Sequence, residues 1–271
     1  MNLFQAKHEL WLQLLFGSFS VEDHAIKERL YEASCIAFRH LKWIAEEYRE
    51  HNIYYNYHRD TIKIQFKDVF SLFGAIKERL EQITLLYDEN ALCTRMRSDE
   101  TYLTALIASW QRDLAHNAPI TAFDRHMHYE DKALNASQRD ALVRFLFEES
   151  YKEYELIMVY FYMQIHTEKL SHVNVFTDLI DESHYHLKCF GNMLSKMGLL
   201  ALPREVHELS YKIEDIDTFI QSGINEELNA KEECRRLADA INDPELKTFF
   251  DFINDQESYH IELMKRLLVG R

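Results

Sequence analysis

Glycine and proline are scarce in this chain: six and three among 271 residues. So few turn formers exclude a sheet protein with many tight hairpins and leave long helices as the economical architecture. Paired cysteines are missing as well. Cys35, Cys93, Cys189 and Cys234 are scattered with no CxxC among them. That spacing excludes a zinc ribbon, a rubredoxin-like site and a disulfide framework, and it suits a reducing cytoplasm. No basic run exists either. Lys and Arg number 31 against 45 Asp and Glu, for a net charge of −14, and the basic residues are interleaved with acidic ones. Nucleic acid is therefore not an expected partner. The apolar stretch LWLQLLFGSF (10–19) is too short to span a bilayer and lacks a basic leader with a cleavage site. It predicts a buried helix, and no membrane partner is expected.

What the chain does have is helical periodicity and a hydrophobic content of 47%, enough for a substantial core. The pattern predicts helices over 2–17, 21–50, 62–88, 98–116, 137–170, 173–198, 205–241 and 243–269. Gly17, Pro119, Gly198, Pro203 and Pro244 fall near their ends, where stop and start signals belong. The least periodic stretch predicts a linker over 118–136, between a helical bundle at 1–117 and a four-helix bundle at 137–271. Ser137 and Asp140 have the spacing of an N-cap box opening the second part. His126 and His128 lie in the linker beside acids and read as loop residues.

The second part carries the chemistry. At 3.6 residues per turn, Phe249, Ile253, Glu257, His260, Met264 and Leu267 share one face, so a carboxylate and an imidazole sit on an apolar stripe. A buried carboxylate must be neutralised, paired or bound to a cation. On the preceding helix Glu227, Ala230, Cys234, Leu237 and Ile241 make a similar stripe. An antiparallel hairpin turning near Asp243-Pro244 brings Glu227 and Glu257 to about the same height, a geometry that can assemble a metal site. The segment DESHYHLKCFGNML (181–194) also aligns without gaps on DQESYHIELMKRLL (255–268), placing His186 on His260.

The run EELNAKEECRRLADAINDPELKTFFDFINDQESYH (226–260) resembles the second helix pair of the ferritin-like, rubrerythrin-like superfamily of di-metal carboxylate proteins. There a Glu on one helix faces a Glu-x-x-His on its partner. The resemblance implies an all-α, ferritin-like four-helix bundle in which Glu227, Glu257 and His260 are metal ligands, with a second set from the preceding helix pair. For that set it implies Glu153, with Glu149 as the alternative, and Glu182 with His186, with Asp181 and His184 as the alternative pair. The sequence departs from the family at Ser183, where Glu-x-x-His requires Glu. Tyr160, Tyr162 and Tyr259 fall near the proposed site.

Carboxylates with one imidazole per metal suit two iron ions, or manganese. The resemblance thus implies an oxidoreductase reacting with dioxygen or peroxide, fed by a separate electron donor and compatible with a homodimer. The competing expectations are iron storage without an organic substrate, and a helical interaction module in which Glu257 and His260 merely pair. In the first part FRHLKW resembles the same superfamily, with His40 at the metal-helix position and Glu9 on the previous helix. Ala37 stands where its Glu belongs, and Leu103 stands where Glu100 would need a His. The first part therefore reads as a structural bundle with its ligands lost.

Overall fold

The computed structural model describes residues 2–60, 62–114, 120, 129, 132–213 and 215–269. These residues are all-α. Their one extended pairing is a single antiparallel bridge between Val21 and Ile120, and they contain no sheet. The chain divides into two units, Met1–His126 with Gly198–Glu205, and Met127–Met197 with Val206–Arg271. Among the described residues no helix is long and apolar enough to cross a membrane. His126 and His128 lie outside the described residues.

In the first unit α1 (Leu3–Ser20) packs on α2 (His24–Glu50) and α3 (Val69–Thr84), and α4 (Ala91–Asp113) closes the bundle against α2 and α3. As LWLQLLFGSF suggested, α1 is buried, and on all sides: Lys7, His8, Glu9 and Gln13 are as enclosed as Leu10 and Trp11. The reason is a strap. Residues 53–60 and 62–66 are not helical and lie along α1, with the Phe4 and Tyr55 rings 4.6 Å apart and the Gln13 amide donating to the Lys63 carbonyl at 3.3 Å. The predicted helix over 62–88 therefore begins only at Val69, capped by Asp68, whose carboxylate accepts from Ser71 N at 2.8 Å. The stretch IKIQF (62–66) alternates rather than repeating every three to four residues. Ile64 and Phe66 are buried and Lys63 and Gln65 exposed, the period of an extended chain. α4 likewise starts earlier than expected, at Ala91, because Asn90 caps it through Cys93 N at 2.7 Å.

The second unit is a four-helix ring. α5 (Ala136–His166) packs on α6 (Leu170–Lys196) and α8 (Ile216–Ile241), while α9 (Pro244–Val269) packs on α6 and α8. The predicted single helix 205–241 is two: a turn, α7 (Glu208–Tyr211), rests on α5, and α8 starts after Asp215, which caps it through Thr218 N at 3.1 Å. The cap of α5 is Asn135 with Gln138, a reciprocal capping box, in place of Ser137 with Asp140. One turn decides the geometry of the site. Asn242 ends α8 in the left-handed conformation (φ 53°), and Asp243 accepts from Leu246 N at 2.9 Å to open α9 at Pro244. That tight reversal sets α8 and α9 antiparallel and brings Glu227 level with Glu257.

Candidate metal centre

The apolar stripes turn inward except at Phe249 and Ala230, which are only half-buried. Ile253, Glu257, His260, Met264 and Leu267 are buried on α9, and Leu179, Ser183, His186, Phe190 and Met193 on α6. On α5 Glu149 and Glu153 are buried while Arg144, Glu148, Lys152 and Glu155 face solvent. Three carboxylates and two imidazoles consequently meet inside the ring, one or more from each long helix.

Glu257 is the hub. Its Oε2 lies 3.0 Å from His260 Nδ1 on its own helix, and its Oε1 lies 3.3 Å from His186 Nδ1 across the bundle. His186 Nδ1 also meets Glu153 Oε1 at 2.8 Å, and His260 Nδ1 stands 3.8 Å from Glu227 Oε1. Both histidines thus present Nδ1 to a common centre, each beside one glutamate from the first helix of its own pair and each touching Glu257. His186, Glu257 and His260 form a group of mutually close ligand atoms able in principle to hold a metal ion.

Protons balance these charges in the protein alone. Burial opposes a charged His186, but Glu153 and Glu257 outweigh it and raise the imidazole to about 9. Burial likewise opposes a charged His260, yet Glu227 and Glu257 raise it to about 10. Glu257 is pushed up to about 8, by burial first and then by the Glu227 charge. Although burial favours a neutral Glu227, contact with His260 holds it below its ordinary value. The donor set fits a cation in another respect. Glu153 Oε2 and Ser183 Oγ are buried without a hydrogen-bond partner among the described residues, whereas buried polar atoms are normally satisfied.

The remaining candidates are placed differently. Glu182 is half-buried and accepts from the Gln256 amide at 2.8 Å, while the Gln256 carbonyl meets His186 Nε2 at 3.1 Å. Glu182 therefore reaches His186 only through Gln256, at the ring nitrogen turned away from Glu153. The Gln256 carbonyl thus engages Nε2 and leaves Nδ1 of His186 facing the cluster. His184 directs Nδ1 to the Ile180 carbonyl at 2.9 Å and Asp181 is exposed, so that pair stays outside the cluster. Glu149 is buried one turn before Glu153 and ion-paired with Lys152 at 2.7 Å; burial lifts it to about 7 against the pull of that ammonium. Gln256 carries no signal in the sequence, since it lies at the edge of the α9 stripe.

A cavity of about 330 Å³ between α5 and α8 opens onto Glu153, Glu227 and Glu257. Tyr160 and Phe219 form part of its wall, and Glu155 and Glu226 add to its negative charge. Burial, then the three cluster glutamates, push the Tyr160 phenol far above its ordinary range and keep it protonated. Tyr162 instead stacks on His166 with ring centroids 3.9 Å apart, and Tyr259 is exposed. All four cysteines are free thiols, so the described chain holds no thiolate cluster.

In the first unit His40 is buried, but its partner is not Glu9. The Glu9 carboxylate is taken by Arg79 at 2.6 Å and by Asp60 N at 2.9 Å. His40 Nδ1 instead meets the Lys7 ammonium at 3.1 Å. No protein-family model, curated protein or solved structure matches the chain. The fold and side-chain geometry alone define the class: an all-α protein of two helical bundles, the second enclosing a glutamate–histidine cluster.

Proposed function

We propose that the second unit is a ferritin-like di-metal bundle, binding iron or manganese and acting as an oxidoreductase on dioxygen or peroxide. The observation that carries this reading is the position of Glu257, whose two oxygens address two imidazoles that themselves face one centre. A carboxylate so placed is suited to bridge two cations. Glu153 with His186 would hold one ion and Glu227 with His260 the other, and Glu182 would orient His186 through Gln256. Oxygen-rich ligation with one nitrogen per ion suits iron or manganese better than a structural zinc. When bound as ferrous iron, two such ions would supply two electrons, enough to take peroxide to water or dioxygen to peroxide.

The protein's own groups supply the rest. The acidic cavity beside α5 and α8 admits cations and small neutral oxidants and disfavours anions. Tyr160 and Phe219 give one part of its wall an aromatic surface. Ser183 stands where a fourth cluster glutamate would be, so an ion held by Glu153 and His186 would have one anionic side chain fewer to neutralise it. With no thiolate pair in the chain, reducing equivalents come from a separate donor.

The test is expression in iron-rich medium, followed by metal analysis of freshly purified protein and oxygen-uptake measurements after ferrous loading. About two ions per chain with uptake coupled to ferrous oxidation is the expected result. Folded protein without stoichiometric iron or manganese overturns the reading and leaves the cluster as a purely internal ion pairing. A large multi-iron shell on size-exclusion chromatography would instead indicate storage.

A further inference from the structure

The first unit repeats the frame of the second with one substitution of kind. Lys7 precedes His40 by the same thirty-three residues that separate Glu153 from His186. Glu227 and His260 have that separation too. His40, His186 and His260 also occupy one register within their helices, as the starts at 24, 170 and 244 show. Lys7 thus stands where the other two helix pairs place a cluster glutamate.

We propose that the Lys7 ammonium is a tethered replacement for a metal cation in the first unit, which keeps the ligand frame but fills it from within. The contacts of Lys7 are those a cation would collect. Its Nζ donates to Glu100 and to His40 Nδ1, and lies 5.1 Å from the centre of the Tyr87 ring. Because His40 Nδ1 accepts from an ammonium, its proton sits on Nε2, which meets Asp99 at 3.0 Å. A metal-bound histidine shows the same division of labour, one nitrogen toward the cation and the other donating to a carboxylate.

Charge explains why the rest of the frame is apolar. One ammonium needs one buried carboxylate, and Glu100 provides it; two divalent ions need several. Three residues before His40, where Glu257 precedes His260, the first unit has Ala37, and three residues after Glu100, where His260 follows Glu257, it has Leu103. An apolar cavity of about 60 Å³ lies against Ala37, His40, Glu100 and Leu103, in the space that longer ligand side chains would occupy. Lysine at position 7 and alanine at position 37 are therefore matched: each removes an acid that a metal requires. The assignment rests on the reading of the second unit as a metal-binding frame, and not on any turnover there.

Three full-length proteins test it by metal stoichiometry after loading with Mn²⁺ or Co²⁺ and desalting. His40→Gln is expected to retain the wild-type count, because no ion sits beside Lys7; a lower count in folded His40→Gln overturns the proposal. Lys7→Glu combined with Ala37→Glu restores two carboxylates beside Glu100 and His40. It is expected to bind one more ion per chain than wild type and to gain thermal stability on adding metal. A folded double variant with an unchanged count also overturns it. Lys7→Met removes the internal cation without supplying ligands, and is expected to lower the unfolding midpoint equally with metal and with chelator. A midpoint unchanged from wild type contradicts the assignment. The uptake of the second unit is read separately as the wild-type count itself.

Discussion

Glu257 on α9 and His186 on α6 meet across the second bundle at 3.3 Å, though the hydrophobic pattern of either helix alone says nothing of the other. Since the second oxygen of Glu257 is taken by His260, this one carboxylate ties the two halves of the cluster together. Glu257→Gln keeps the volume and removes the ability to become an anionic ligand. Bound metal is expected to fall by at least about ten-fold, since even outer-shell changes cost 10–100-fold in affinity. Elemental analysis beside a circular dichroism spectrum checks this; a folded variant with full metal content refutes the hub role.

Ser183→Glu supplies the carboxylate missing from the second Glu-x-x-His. Without metal it adds another buried acid, at a cost on the order of a few kcal/mol. With metal it adds a ligand. The variant should melt below wild type in chelator and show the larger rise when Mn²⁺ is added, as expected of a ligand that binds only the folded state. Thermal scans in the two buffers measure both effects.

Gln256→Leu leaves His186 without its Nε2 partner and disconnects Glu182. Metal affinity is expected to drop by roughly 10–100-fold with little change in fold. Competition with a chromogenic chelator reads that loss directly, and an affinity equal to wild type shows that the Glu182–Gln256–His186 chain does not orient the ligand.

Acid should destabilise the first unit well above the carboxylate range. Burial, assisted by Arg59, brings His8 down to about 3, and burial with the Lys7 charge brings His40 down to about 4. Both are neutral when folded, while the unfolded chain takes up their protons below about 6.5. Their stabilising effect is complete above pH 6.5 and is lost as pH falls toward 4 and then 3, at about 1.4 kcal/mol per pH unit for each. Urea unfolding at pH 7.5, 5.5 and 4.5 should show a falling midpoint. His8→Phe, set among the rings of Phe4, Trp11 and Tyr57, should flatten that slope.

Asn242 holds the left-handed position in the turn that aligns Glu227 with Glu257. Asn242→Gly should be neutral or slightly stabilising, whereas Asn242→Val should cost about 1–2 kcal/mol. Denaturant midpoints distinguish the two. Strained alignment in the valine variant should lower metal content as well.

The helical class and the inward face of Glu153, His186, Glu227, Glu257 and His260 were legible in the sequence. Each follows from scarcity of turn formers or from 3.6-residue periodicity, both local properties. Helix starts were less legible. Asp68, Asn90 and Asp215 are ordinary polar residues until a nearby backbone N–H needs an acceptor, and the alternation in IKIQF is too short to outweigh the helical pattern after it.

What only the tertiary structure decided is which side chain meets which. Glu153 and Glu149 share a face of α5, and only the packing of α6 puts Glu153, not Glu149, against His186. Glu182 and His186 share a face too, yet Gln256 from α9 comes between Glu182 and the cluster side. Lys7 and Glu9 lie two apart on a helix enclosed from every direction, so periodicity gave no reason to turn the lysine toward His40. A single sequence determines the faces a helix offers. The angle and height at which another helix arrives are set by the turn at Asn242, the strap along α1 and the close fit of the core, and these select one pairing among the several each face allows.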